Sequence, residues 1–316
     1  MTIVIYGAGA VGSLFGARFA AAGHRVLLIG RPDHVAAIRE RGLHVEGVGA
    51  GTFACDAATE RPAGTAARLV VLGVKTFDLA SAARDVGRRL APAPVLLPQN
   101  GLRVEPGVAA ALASAGWPDA RARLVRAVHT VPATLVAPGV VRAAGAGEVV
   151  LPVPADAGPS GDGARAFAQL FRDAGFSVRI VDSIEREVWR KAIVNAAINP
   201  VTAVHRVPNG ALAAPPLREE AHALLVEAHA VAAAVGAAGP LAESEADLER
   251  VVRGTAENRS SMLQDLDRGR PTEIDAISGA ILDLAIARGV DVPATRAAVE
   301  RVRAAAARAA RPAQSS

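Results

Sequence analysis

Gly7-Ala8-Gly9-Ala10-Val11-Gly12 stands directly after the β-branched run Thr2–Tyr6 and opens a small-residue segment with helical spacing, Ala10–Ala22. Glycines at this spacing have separate tasks. The first permits a tight turn, the second lets a pyrophosphate approach the backbone, and the third lets helix and strand pack closely. The helix N-terminus attracts the phosphate charge. In a strand–turn–helix setting the pattern points to a dinucleotide held by Gly7, Gly9, Ala10, Val11 and Gly12. Nineteen residues after Gly12, where an acid usually takes the ribose hydroxyls, stands Arg31. A carboxylate there would repel a 2′-phosphate, whereas a guanidinium holds one through paired charge-assisted hydrogen bonds. NADP is therefore the expected cofactor. Asp33 is the rival group, and Pro32 is expected to turn it away into a helix cap.

Of the 35 basic residues, two are lysine, Lys75 and Lys191. A chain that uses arginine almost everywhere a cation is wanted reserves lysine for positions where guanidinium chemistry fails. Lys75 lies in Gly73-Val74-Lys75-Thr76, just past a buried strand, and Gln99-Asn100-Gly101 lies just past the next. In doubly wound sheets ligands bind outside the carboxyl ends of the strands, so Lys75 and Asn100 should face the cofactor. Lys191, Asn195 and Asn199 recur every four residues, which stacks them on one helix face. Trp189, Ile193, Val194, Ala196 and Ile198 surround them with apolar surface, an arrangement suited to a polar ligand. Asn258, Ser261 and Asp265 form a second polar face, and Thr272 reads as an N-cap with Asp275 completing a capping-box-like turn. Glu273 then falls in a first helical turn, where the helix dipole alone is reason enough for an acid.

The elements that must position these groups alternate over the first 180 or so residues. Arg25–Ile29, Arg68–Val74 and Pro94–Pro98 read as further buried strands and Phe77–Leu90 as a helix, a βαβ rhythm that implies a doubly wound parallel sheet. From Leu124 to Pro152, closely spaced strand-like pieces are expected to run antiparallel and close the sheet edge. Pro152–Gly163 reads as a surface loop. Beyond Asp182 the pattern is helical: Ile184–Ile198 ending at Pro200, Pro216–Gly236, Glu243–Arg268, Thr272–Arg288, and Val290–Ala310 fraying into Arg311–Ser316. The fold class expected is α/β, a Rossmann-type N-terminal domain over residues 1–182 followed by an all-helical domain over 183–316.

Composition excludes several functions. Arginines are scattered singly and aromatics are only 3% of residues, so nucleic-acid binding lacks both a basic patch and a stacking surface. The longest apolar stretch, Ala230–Leu241, is too short for a bilayer and is flanked by Glu227, His229 and Glu243, so no membrane association is expected. The N-terminus lacks a basic segment and no secretory leader is read in it; the single cysteine, Cys55, fits a reducing compartment, and a cytoplasmic enzyme is the expectation. No metal-ligand set is read in the sequence.

These segments together resemble the ketopantoate reductase (2-dehydropantoate 2-reductase) family over nearly the whole chain. The matching positions are Gly7–Gly12 with Arg31, Val74-Lys75, Gln99-Asn100-Gly101, Trp189-Arg190-Lys191 with Asn195 and Asn199-Pro200, and Asn258–Asp265 followed by Thr272-Glu273-Ile274-Asp275. None of them is substituted; Val128–Pro152 has no residue-by-residue match. The resemblance implies reduction of a small 2-keto acid by hydride from NADPH, with Lys191 as general acid and Glu273 its partner beside the substrate. It implies that Asn195, Asn199, Asn258 and Ser261 hold the substrate's carboxylate and hydroxyl, with Lys75 and Asn100 lining the nicotinamide end and Asn100 also reaching the substrate. The alternatives are a 2-hydroxy-acid dehydrogenase of the same fold acting on another acid, and a cofactor-binding sensor without catalysis. The assembly stays open, a homodimer being one option.

Overall fold

A computed structural model describes residues 2–60, 66–154 and 159–309 of the 316. Its chain separates into two compact units, one formed by residues 1–99 and 103–184 and the other by 100–102 and 185–316.

In the first unit, β1 (Thr2–Tyr6), α1 (Ala10–Ala21), β2 (Val26–Ile29), α2 (Pro32–Arg41), β3 (Leu43–Gly47), β4 (Gly51–Phe53), β5 (Asp56–Ala58), β6 (Ala67–Leu72), α3 (Leu79–Arg89), β7 (Val95–Leu97), α4 (Val104–Ser114) and β8 (Leu124–Arg126) follow one another. Six of these strands form a wholly parallel sheet in the order β5-β2-β1-β6-β7-β8. Strand residues alternate between two cores. Leu69, Val71 and Leu96 face a cluster with Leu14, Phe15 and Phe19 of α1, while Val70, Leu72, Val95 and Leu97 face one with Ala83, Val86, Val108 and Leu112. Apolar residues on both faces are what a helix-covered parallel sheet demands. The chain leaves β1 toward β2 on one side and returns to β6 on the other, so the crevice between β1 and β6 is the topological switch point.

The expectation that residues 124–152 close the edge of this sheet is corrected. Leu124–Arg126 adds a parallel strand, but β9 (Val128–His129), β10 (Ala133–Ala137), β11 (Val140–Ala143) and β12 (Glu148–Pro152) leave it. They build a four-stranded sheet, β10-β11-β3-β4, and, with β13 (Ser177–Val181), a three-stranded sheet, β13-β12-β9. β11 pairs in parallel with β3, which pairs in turn with β4, while β12 pairs with β9 and β13. The loop expected over Pro152–Gly163 is shorter than read: 155–158 lie outside the described residues, and α5 already starts at Pro159 and runs to Asp173. Proline at a first helical position costs no hydrogen bond, so it marks a start there rather than a loop.

The second unit is helical: α6 (Ile184–His205), α7 (Leu217–Ala234), α8 (Leu241–Gly254), α9 (Ser261–Asp267), a π turn at Asp275–Gly279, α10 (Ala280–Arg288) and α11 (Pro293–Ala309). The tail expected to fray, Arg311–Ser316, lies outside the described residues. Three boundaries differ from the sequence reading. Pro200 does not end its helix, because Val194, Ile198 and Val201 are buried in one cluster with Leu212, Leu224 and Val252. That burial offsets the interior-proline cost of about 3 kcal/mol. Glu243–Arg268 is two helices, since Asn209 and Gly210 donate backbone hydrogen bonds to the Asn258 and Ala256 carbonyls at 2.9 Å and Ser260 caps α9 by accepting the Leu263 amide. Asn258 and Ser261 therefore do not share one helix face. Thr272 is not an N-cap either: the helix starts after Ile274 without a side-chain cap, and the Asp275 carboxylate is taken by Arg303.

Candidate active site

At the carboxyl end of β1 the chain turns through Gly7 at φ +108°, where a Cβ would sit 2.5 Å from the Val74 amide nitrogen. A Cβ on Gly12 would overlap the Gly7 carbonyl. Both positions are therefore closed to side chains by neighbouring backbone. Gly9 differs: a Cβ there meets nothing within 4 Å, and Gly9 is the N-cap of α1 without any side-chain cap. A helix start left without a side-chain cap, with the amides of Ala10, Val11 and Gly12 in its first turn, is chemically suited to an anionic group such as a phosphate. The turn is braced by Gly73, whose N–H donates to the Tyr6 carbonyl at 2.7 Å.

Lys75 follows, half-buried, and starts the short 3-10 turn Thr76–Asp78. Gln99 links the ends of two strands. Its side-chain NH2 donates to the carbonyls of Leu72 and Val74, the latter at 3.1 Å, and its own main-chain carbonyl accepts from Arg126 at 2.9 Å. Gln99 is 8% exposed, and its Oε1 has no hydrogen-bond partner among the described residues. In the sequence Gln99 is visible only as the first residue of Gln99-Asn100-Gly101; a glutamine at a strand end carries no signal of this bracing.

Arg31 is the N-cap residue of α2, exposed, with Pro32 at the first helical position. Asp33 does not become the cap, contrary to expectation: it lies in the first turn, exposed, and bonds no capping amide. The next residue, His34, is buried at 2% exposure; its Nδ1 accepts the Gly139 amide and its Nε2 meets the Ser13 hydroxyl, each at 2.9 Å. Burial pushes its imidazole below the ordinary histidine range.

In the second unit, α6 carries Lys191 and Asn195 half-buried and Asn199 buried, within a run otherwise closed to solvent from Ala192 to Ala203. Trp189 is buried beside them. Arg190 turns elsewhere, forming a bidentate pair with Asp247 of α8. Burial raises the Asp247 carboxyl, and Arg190 with Arg250 outweighs that and holds it below the usual carboxylate range. Asn258 and Ser261 lie on either side of the Ser260 cap, whose hydroxyl is hydrogen-bonded to that of Thr202, one turn past Asn199. Asn209, in Pro208-Asn209-Gly210, is a functional candidate that no sequence motif marks, and it is buried beside this segment. Its Nδ2 donates to Thr255 at 2.9 Å and its Oδ1 has no partner among the described residues.

Asn100 belongs to this helical unit rather than to the sheet that precedes it. Leu102 donates to the Ala276 carbonyl at 3.0 Å, and Gly101, at φ +115°, has no room for a Cβ against that same oxygen, 2.9 Å away. The tripeptide thus packs on the π turn that follows Glu273, which is 8% exposed. The Asn100 Oδ1 is buried without a partner among the described residues. Amides, a hydroxyl, a carboxylate and a lysine on these segments are donors and acceptors suited to a small carboxylate- and hydroxyl-bearing molecule. Among the described residues no group of three or more His, Cys, Asp or Glu is placed to hold a metal ion, and no helix is long and apolar enough to cross a membrane.

Two family-wide sequence models match the chain. One described as ketopantoate reductase PanE/ApbA matches residues 3–155, and one described as its C-terminal part matches 183–306. The chain is 36% identical to a 2-dehydropantoate 2-reductase of Halobacterium salinarum over 310 residues, 96% of this chain and 98% of the relative. It is similar to the crystal structure of a PanE/ApbA family ketopantoate reductase from Ralstonia eutropha, with TM-score 0.86, 33% identity, and coverage of 98% and 100% of the two chains. It is also similar to a D-mandelate dehydrogenase solved with NADH and anilino(oxo)acetate, with TM-score 0.88, 27% identity, and coverage of 98% and 99%. The chain belongs to the ketopantoate reductase family.

Proposed function

We propose that this chain is a cytoplasmic NADPH-dependent 2-dehydropantoate 2-reductase, converting ketopantoate to pantoate on the route to pantothenate and coenzyme A. The observation that carries the reading is the polar line Lys191, Asn195, Asn199 along a helix whose other residues there are mostly buried apolar ones. Glycine positions closed by backbone at Gly7 and Gly12 and open at Gly9 fit a dinucleotide. A nicotinamide dinucleotide held at this glycine turn would supply the hydride for the keto carbon. Lys191 polarises the keto oxygen and delivers a proton to it as charge develops there. Glu273 holds the lysine in place, and Asn195, Asn199, Asn258 and Ser261 fix the carboxylate and the hydroxyl. Lys75 and Asn100 line the nicotinamide end, and Arg31 takes the 2′-phosphate.

The likeness to D-mandelate dehydrogenase favours one second reading, a reductase of another 2-keto acid. NADPH oxidation measured against ketopantoate, 2-ketoisovalerate and the phenyl keto acid corresponding to mandelate separates them. The first reading expects ketopantoate to lead by tenfold or more, since loss of the 4-hydroxyl leaves buried polar groups unpaired at roughly 1–3 kcal/mol. Equal efficiency with 2-ketoisovalerate removes the pantoate assignment, and a lead for the phenyl acid establishes the second reading.

A further inference from the structure

The Gly139 amide can only donate, so Nδ1 of His34 must carry a lone pair. The remaining nitrogen, Nε2, then bears the proton and donates to Ser13 Oγ. This buried imidazole joins three pieces of backbone. Ser13 is the first residue whose amide closes the helical ladder of α1, donating to the Gly9 carbonyl at 2.9 Å. His34 stands in the first turn of α2, three residues after Arg31, whose carbonyl accepts the Val35 amide at 2.9 Å. Gly139, at φ +77°, is the turn between β10 and β11, and a Cβ there would come 2.9 Å from the Ala37 side chain of α2. Ser13 and His34 are both closed to solvent, at 0% and 2% exposure.

We propose that His34 is a positioning residue for the cofactor's adenosine phosphate: it fixes the start of α2, and with it Arg31, against the glycine turn that receives the pyrophosphate. Selection of NADPH over NADH then depends on a neutral, buried imidazole that touches no part of the cofactor. The proposal rests on Arg31 as the 2′-phosphate ligand. An Arg31 side chain hung on an unbraced helix start would still bear its charge but would sample many placements, and a charge-assisted pair gains from a fixed geometry.

The test is a double-mutant cycle on cofactor choice. Wild type, Arg31→Ala, His34→Leu, Ser13→Ala and the double variant of Arg31 and His34 are assayed for kcat and KM with NADPH and with NADH. Arg31→Ala lowers the NADPH-to-NADH ratio of kcat/KM about tenfold or more, as loss of a charge-assisted pair should. His34→Leu lowers it by about three- to tenfold through KM for NADPH, with kcat at saturating cofactor kept, and Ser13→Ala lowers it in the same direction by less. In the Arg31→Ala background, His34→Leu changes the ratio by less than about twofold. A His34→Leu protein that weakens both cofactors equally, or only melts earlier, overturns the proposal while leaving Arg31 in place. An unchanged ratio in Arg31→Ala removes the Arg31 reading itself, and the proposal with it. Should His34→Leu fail to fold, Ser13→Ala carries the same test alone, and an unchanged ratio there overturns it.

Discussion

The hydroxyls of Thr202 and Ser260 are hydrogen-bonded at 2.8 Å, both buried, and this link ties the lysine-bearing helix to the segment that carries Asn258 and Ser261. Thr202 is also 2.8 Å from the Ile198 carbonyl, so its position is set by its own helix. Thr202→Val keeps the shape and removes the link. We expect a stability loss of about 1–2 kcal/mol and a raised KM for the keto acid, with KM for NADPH unchanged. Equilibrium unfolding and steady-state kinetics check this, and a change confined to NADPH would refute it.

Lys191→Arg tests whether charge alone suffices. Arginine polarises a carbonyl but holds its proton too tightly to give it up near neutral pH. Turnover should fall by ~10²–10⁴, the range of a positioned general acid. NADPH affinity, followed by fluorescence, should stay at the wild-type value. Retention of most turnover at neutral pH would end the acid role of Lys191.

His34 gives the fold a pH dependence of defined sign. Burial places its folded value below the unfolded one near 6.5, with Asp33 pulling upward and Arg31 downward from its own helix. The groups facing it from α1 and from the β10–β11 turn, the Ser13 hydroxyl and the Gly139 amide, do not titrate in this range. Its contribution is complete above about pH 6.5 and is lost as pH falls from there through the lower folded value, because the unfolded chain takes up the proton first. Denaturant unfolding from pH 8 to pH 5 should show stability declining below about 6.5. His34→Leu should flatten that decline; an identical slope in wild type and variant would show that other groups cause it.

Cys55 is expected to be a sluggish nucleophile. Burial, with the Asp56 carboxylate adding to it, pushes the thiol up to about 11, and its Sγ lies 3.9 Å from the Gly16 carbonyl. Little thiolate exists at neutral pH, so alkylation by iodoacetamide should run at least tenfold slower than for free cysteine, where the thiol value is about 8.5. Reaction at the free-thiol rate would contradict this environment.

The glycine turn was legible in the sequence because steric exclusion acts over a few residues: the backbone that closes Gly7 and Gly12 to side chains lies within one βα unit and its neighbour strand. The line Lys191, Asn195, Asn199 was legible because helical period alone aligns it. What stayed hidden was set by distant partners. Pro200 carries a local signal to stop, which burial against Leu212, Leu224 and Val252 overrides. The break at 255–260 is fixed by Asn209 and Gly210. Strand β11, and β10 with it, lies outside the main sheet because its partner is β3, far back in the chain, which no local pattern in residues 124–152 announces. His34 and Gln99 have no periodic signature, since each acts through hydrogen bonds to backbone far along the chain.

The tripeptide Asn100–Leu102 makes the helical half of this enzyme a poor unit of recombination. A chimera joined only at residue 184 would pair one parent's Ala276 carbonyl with the other parent's residue 102, and would fill the cluster around Trp189, Leu225 and Ile281 with a foreign side chain at the Leu102 position. Swaps between family members should therefore exchange two stretches together, the three residues after Gln99 and everything beyond Ile184. Inheritance of one without the other should select against itself through lost stability, so the two stretches are expected to descend as a pair.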